Sequence, residues 1–145
     1  MIALLQRVSS AHVSVNNEIL GTIANGLLIF LCAETNDREP DVDRFLNRLL
    51  DYRIFSDDAG KMNLSVRSIQ GGVLLIPQFT LAADTRSGLR PGFSAAATPA
   101  RGEQLFDYAW QRLQHLHNPS ACGRFGADMK VALVNDGPAT FWLHS

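Results

Sequence analysis

Leu27-Leu28-Ile29-Phe30-Leu31 is an unbroken run of five apolar residues. It is the stretch on which the fold turns, because a short continuous apolar run predicts a central strand. Upstream, Ile2 to Val8 reads as a strand. His12-Val13-Ser14-Val15 alternates, and Asn16-Asn17 makes a plausible hairpin turn into a strand over Glu18 to Ile23. Downstream, Asp37-Arg38-Glu39-Pro40 opens a helix with proline in its first turn. Val42, Phe45, Leu46, Leu49 and Leu50 then fall on one helical face.

Further out, Tyr52 to Phe55 is extended and Ser56-Asp57-Asp58-Ala59-Gly60 is a turn. Val73 to Ile76 is a second buried strand that ends near Pro77. Asp84 to Ser94 carries two glycines, a proline and two arginines, and reads as a long surface loop. Thr98-Pro99 supplies an N-cap and a first-turn proline. Leu105, Tyr108, Ala109, Trp110, Leu113 and Leu116 are the apolar positions of the second helix, which Asn118-Pro119 ends. Val131 to Val134 and Thr140 to Leu143 are closing strands separated by Asn135-Asp136-Gly137-Pro138. About seven strands and two main helices result. Short turns between neighbours predict an α+β (α/β-type mixed) domain with a largely antiparallel, curled sheet.

The 145 residues fit one compact domain spanning residues 1–145. At that size about two-thirds of the unfolded surface is buried, enough for a core without staples. A composition of 46% hydrophobic and 19% charged residues excludes a disordered chain. The apolar run Gly26 to Ala33 is far short of the roughly 20 residues of a membrane span. The opening MIALLQRVSS has no basic segment leading into a longer apolar one, so no signal peptide is expected. Cys32 and Cys122 lack metal-ligand spacing, and Cys32 reads as a buried thiol. A reduced, cytoplasmic protein is expected. The net charge of −1 excludes a protein that grips long stretches of nucleic acid by charge alone. It permits a small contact with a nucleic-acid end.

The usual catalytic inventories are thin. There is no phosphate-binding glycine loop and no GxSxG elbow. Of the four histidines, His115 and His117 are two apart on a helix and share no face. His12 and His144 sit near strand or chain ends. Surface histidine is the ordinary reading of all four, so neither a zinc site nor a Ser-His-Asp triad is supported. Asp41, Asp43, Asp57 and Asp58 read as helix-start and turn residues. Asp84 sits at a strand-to-loop junction, a better place for function. Gln78-Phe79-Thr80 places polar groups where a buried strand gives way to a loop, and by itself reads as a strand end with a locally bonded hydroxyl. Gly137-Pro138, taken alone, is a plain turn. Phe125 and Met129, taken alone, are core residues.

Two segments change that reading. Pro77-Gln78-Phe79-Thr80-Leu81-Ala82-Ala83-Asp84 and Asn135-Asp136-Gly137-Pro138-Ala139-Thr140-Phe141-Trp142 resemble the two signature motifs of the D-aminoacyl-tRNA deacylase family, also called D-Tyr-tRNA deacylase. The likeness extends through Ile2 to Val8, Tyr52 to Asp57, Gly60 to Leu64, Gly123-Arg124-Phe125 and Ala127-Asp128-Met129. It covers essentially the whole chain. The family's first motif usually opens with serine, where this chain has Pro77. Proline removes a hydroxyl and a backbone N–H and should sit at a strand end or an unpaired edge. Ala139 stands where valine is common.

The resemblance implies hydrolysis of the ester between a D-amino acid, or glycine, and the 3′-terminal adenosine of tRNA, without metal or organic cofactor. It implies that the ribose 2′-hydroxyl assists. Gln78, Phe79 and Thr80 would form the catalytic segment, with the N–H groups of Phe79 and Thr80 as anion-stabilising donors and the Thr80 hydroxyl positioning. Gly137 and Pro138 would be the chiral selector, through a cis peptide. Arg7 would hold that corner, and Phe125 and Met129 would line the pocket of the terminal adenine. The corner would enter the partner's site in a two-fold homodimer. Two other classes stay open at this stage. One is a non-catalytic module for a tRNA end or a D-amino acid, silenced by Pro77. The other is an esterase with a Thr80 nucleophile.

Overall fold

The computed structural model describes residues Met1–Ser145. Its longest elements are the first and the last strands. β1 (Ile2–Val15) is one 14-residue strand where two were expected. Asn16 and Asn17, at φ 51° and 65°, make the tight turn into β2 (Glu18–Ile23). Positive φ at both positions is what the primed two-residue hairpin needs, and asparagine tolerates it. β2 pairs with the second half of β1, while β3 (Gly26–Cys32) pairs with the first half, from Ile2 opposite Cys32 to Val8 opposite Gly26.

Helix α1 (Glu39–Leu50) buries the five expected residues, Val42, Phe45, Leu46, Leu49 and Leu50. Its start is closed by the Asp41 carboxylate, which accepts from the Arg38 backbone N–H at 2.9 Å. Two short strands, β4 (Phe55–Ser56) and β5 (Met62–Leu64), form a separate ribbon. β6 (Gly72–Pro77) lies parallel to β3. After the 84–94 loop comes α2 (Pro99–Leu116), capped by the Thr98 hydroxyl accepting from Arg101 N–H at 3.4 Å. β7 (Ser120–Cys122) adds in parallel to β6. Finally β8 (Lys130–His144) runs antiparallel along nearly the whole of β1. The sheet is mostly antiparallel and curls almost into a barrel. β2 and β7 approach so closely that a Cβ on Gly21 would stand 2.8 Å from Ala121 Cβ.

The apolar run of β3 is continuous because both of its faces are covered. Leu27 and Ile29 join Leu5, Val73 and Leu75 beneath the helices, while Leu28 packs with Val8, Val13, Leu74 and Ile76 inside the curl. Each such leucine contributes about 1.5–3 kcal/mol of burial. The helices are tied together by the Arg101–Glu39 ion pair at 2.9 Å and by Asp43, which accepts from Tyr108 Oη at 2.9 Å and pairs with Arg112 at 2.7 Å. No helix is long and apolar enough to cross a membrane.

Four expectations are corrected. The segment Asn135–Pro138 is no turn between two strands. Both flanks belong to β8 and pair with the same neighbour, Thr140 with Gln6 and Asn135 with Val8. Two residues of β1 thus span five of β8, and the surplus chain is thrown outward. His117 is buried, not a surface residue, and its Nε2 meets the Gly71 carbonyl at 2.7 Å. Asp43 serves the contact between helices rather than a helix start. β5 and β7 are absent from the sequence reading because three residues are too few to show a period.

Candidate active site

β6 ends at Pro77, opposite Leu31. The missing proline N–H costs nothing there, because the next donor, Gln78 N–H, bonds the Leu31 carbonyl at 2.8 Å. The chain then tightens into a 3₁₀ turn, Phe79–Ala82. Leu81 N–H bonds Gln78 O at 3.2 Å and Ala83 N–H bonds Thr80 O at 3.1 Å. Phe79 and Thr80 are first in the turn, so its own i→i−3 bonds, which begin at Leu81 N–H, do not use their N–H groups.

A cavity of about 830 Å³ opens at this end of the sheet. Gln78, Phe79, Phe125 and Met129 all line it, together with Leu31, Cys32 and Pro77 from the strands and Thr98 and Gly102 from the start of α2. Asp128 is its one charged side chain, and no lysine or arginine lines it. Phe79 is half exposed and meets the edge of Phe93, ring centroids 5.1 Å apart. Phe93 escaped the sequence reading because it sits in a loop whose glycine, proline and arginine content speaks only of surface. Thr80 does not line the cavity. Its Oγ1 accepts from Gln78 Nε2 at 2.5 Å.

No general base accompanies Thr80. None of the four histidines lines the cavity. His115 bonds Gln111 O, His117 bonds Gly71 O and His144 bonds Glu34. Asp84 is occupied too: hydrogen bonds from the Arg86 guanidinium and backbone, and its charge, hold the carboxyl down at about 2. Cys32 lies in the cavity wall, where burial pushes its thiol up to about 11, so it is no nucleophile near neutrality. No cluster of three histidine, cysteine or carboxylate side chains is placed to hold a metal ion.

Arg7, Gly137 and Pro138 form a second constellation. Arg7 Nε donates to Asp136 O at 3.0 Å, and Nη1 donates to Ile54 O at 2.8 Å. The Gly137–Pro138 bond is cis, and Gly137 has φ +125°. Only glycine fits there: a Cβ would stand 2.5 Å from Arg7 Nη2. Asn135 closes the base of the corner, its Oδ1 accepting from Ala139 N–H at 2.9 Å and its Nδ2 donating to Thr140 Oγ1 at 2.8 Å.

The two constellations do not meet within one chain. Arg7 pairs with Leu27, and Leu27 with Val73, at the start of β6. The cavity lies beyond Leu31 and Pro77, four residues along, or about 13 Å at strand rise.

The profile of the family described as D-Tyr-tRNA(Tyr) deacylase matches residues 4–144. A Pseudomonas fluorescens (strain Pf-5) protein named D-aminoacyl-tRNA deacylase is 57% identical over 145 residues, 100% of both chains. A Janthinobacterium (strain Marseille) protein of the same name is 58% identical over 143 residues, 99% of this chain and 96% of the other. Among solved structures, the c-Myc DNA unwinding element binding protein superposes with a TM-score of 0.94 at 32% identity, covering 100% of this chain and 99% of that one. A probable eukaryotic D-amino acid tRNA deacylase gives 0.86 at 14% identity, over 98% and 97% of the two chains, a likeness of fold. With both motifs in place and the match running nearly end to end, the chain belongs to the D-Tyr-tRNA(Tyr) deacylase family.

Proposed function

We propose that this protein hydrolyses the ester between a D-amino acid, or glycine, and the 3′-terminal adenosine of tRNA, in the cytoplasm and as a two-fold homodimer. One observation carries the reading: an apolar cavity lined by Phe79 lies beyond the ends of β3 and β6, where a 3₁₀ turn opens with the Phe79 and Thr80 N–H groups, and a glycine-proline corner projects from the middle of β8. A two-fold partner can supply the missing half, each corner entering the other subunit's cavity.

The chemistry asked of the protein is modest. The ester is activated and lies beside a ribose hydroxyl. Water attacks its carbonyl carbon, the oxyanion is received by the Phe79 and Thr80 N–H groups, and the 3′-oxygen leaves with a proton. The 2′-hydroxyl assists within the substrate. Phe125 and Met129 offer an apolar wall to the adenine, and Thr80 positions through its bond to Gln78. Thr80 lacks a base to activate it, which counts against a covalent threonine mechanism. Pro77 removes a hydroxyl but preserves the chain path, because Gln78 keeps its bond to Leu31.

The corner selects by exclusion. Its backbone accepts the amino group and Cα hydrogen of a D residue and leaves no room for an L side chain. The free cysteines, Cys32 and Cys122, suit a reducing compartment. The test is deacylation of D-Tyr-tRNA beside L-Tyr-tRNA. Rapid release from the D ester with the L ester spared is expected. Equal rates, or binding of the tRNA end without turnover, would overturn the reading.

A further inference from the structure

We infer that Gly102 and Gly123 gauge the slot between Phe125 and Met129, setting how deeply a flat ligand seats in the cavity. Its ligand, the terminal adenine, rests on the deacylase reading above; its geometry does not.

Gly102 is the fourth residue of α2. A helix interior favours almost any residue over glycine, so its presence there invites a local reason. Phe125 supplies one. A Cβ on Gly102 would stand 3.3 Å from Phe125 Cζ and 3.5 Å from Cε2. The ring lies tilted on Phe106, centroids 6.4 Å apart, and both rings line the cavity beside Gly102. A Cβ at position 102 crowds the ring within the cavity wall, and the ring must give by a few tenths of an ångström.

Gly123 does the same for Met129. A Cβ there would stand 2.7 Å from Met129 Sδ, 3.1 Å from Ile76 Cδ1 and 3.4 Å from Pro77 Cδ. Ile76 and Pro77 are held in β6, so the thioether must yield. Met129 is otherwise fixed by the Arg124 N–H donating to its sulfur at 3.4 Å. Two glycines at separate points of the chain therefore stand against two residues that line the same cavity.

The test is Gly102→Ala in the full chain, read by its crystal structure and by steady-state deacylation of D-Tyr-tRNA. The expected structure shows the Phe125 ring displaced from its wild-type seat with α2 in place and thermal stability kept. The KM should rise about tenfold, as about 1.4 kcal/mol of lost contact gives, with kcat changed much less. Adding Phe125→Leu removes the crowded ring edge, so the double variant should match Phe125→Leu alone. An unmoved ring, an unchanged KM or additive effects in the double variant would overturn the inference. A wild-type protein that releases no D-amino acid would sink the deacylase reading instead, and ring displacement alone would then decide the gauge.

Discussion

Arg7 Nε donates to the carbonyl oxygen of Asp136 at 3.0 Å, joining residues 129 positions apart. With its second bond to Ile54 O at 2.8 Å, the guanidinium is stretched between two backbone carbonyls and fixes where the Gly137 corner points. Its side chain is only 12% exposed. Arg7→Ala should cost about 2 kcal/mol of stability, the net worth of charged hydrogen bonds lost from a largely buried site. Activity should fall by on the order of a hundredfold, because a corner displaced by about 1 Å misplaces the substrate. Arg7→Lys, with a single ammonium in place of a fork, should recover little of that. Thermal melts and single-turnover deacylation check both values.

Thr80→Val should retain kcat within about one order of magnitude, whereas removing a true nucleophile costs on the order of 10⁶-fold. The Oγ1 bonds only Gln78 and has no base beside it. Mass spectrometry of the enzyme quenched during turnover should find no aminoacyl adduct on Thr80. An adduct there would restore the covalent mechanism.

Cys32 should resist alkylation near neutrality. Burial raises the thiol from the ordinary 9.0 to about 11, so its thiolate is about a hundredfold scarcer than a free cysteine's at a given pH. The folded value lies above the unfolded one. The linked stability is therefore fully present below about pH 9 and fades as the pH rises toward 11. Iodoacetamide labelling followed by peptide mapping, from pH 7 to 10 in native and unfolded protein, measures it.

Binding to the tRNA end should depend weakly on salt. The chain carries a net charge of −1 and no lysine or arginine lines the cavity. The slope of log K against log salt should be shallower than about −2, the value that roughly three neutralised phosphates give on a single strand. Titrations between low and moderate salt test this, and a steeper slope would assign a phosphate-gripping role to surface arginines such as Arg86 and Arg90.

Glycyl-tRNA should be cleaved to some degree, and D esters with side chains of very different size should be cleaved at comparable rates. Selection by an excluding corner has nothing to exclude in glycine and no pocket to fill with a D side chain. Complete inertness toward glycyl-tRNA would point to a side-chain pocket instead.

The chain announces its local structure plainly. The spacing of Val42, Phe45, Leu46, Leu49 and Leu50, the Asn16-Asn17 turn, the apolar run of β3 and the Thr98-Pro99 cap are short-range facts, legible because helix period, turn dihedrals and capping act over a few residues. The two motifs are legible for the same reason, since each is contiguous. What they build is not. Asn135–Pro138 reads as a turn until the register of β8 against β1 makes it an outward corner, and that register belongs to a strand more than a hundred residues earlier. The burial of His117, the parallel order β3–β6–β7, the seating of Phe125 on Gly102 and the separation of cavity from corner are likewise decided by partners distant in sequence. Residue types and periodicity determine which segments form elements and which face seeks burial. Backbone pairing and close packing across the chain decide which functional groups meet, and no local pattern encodes those distances.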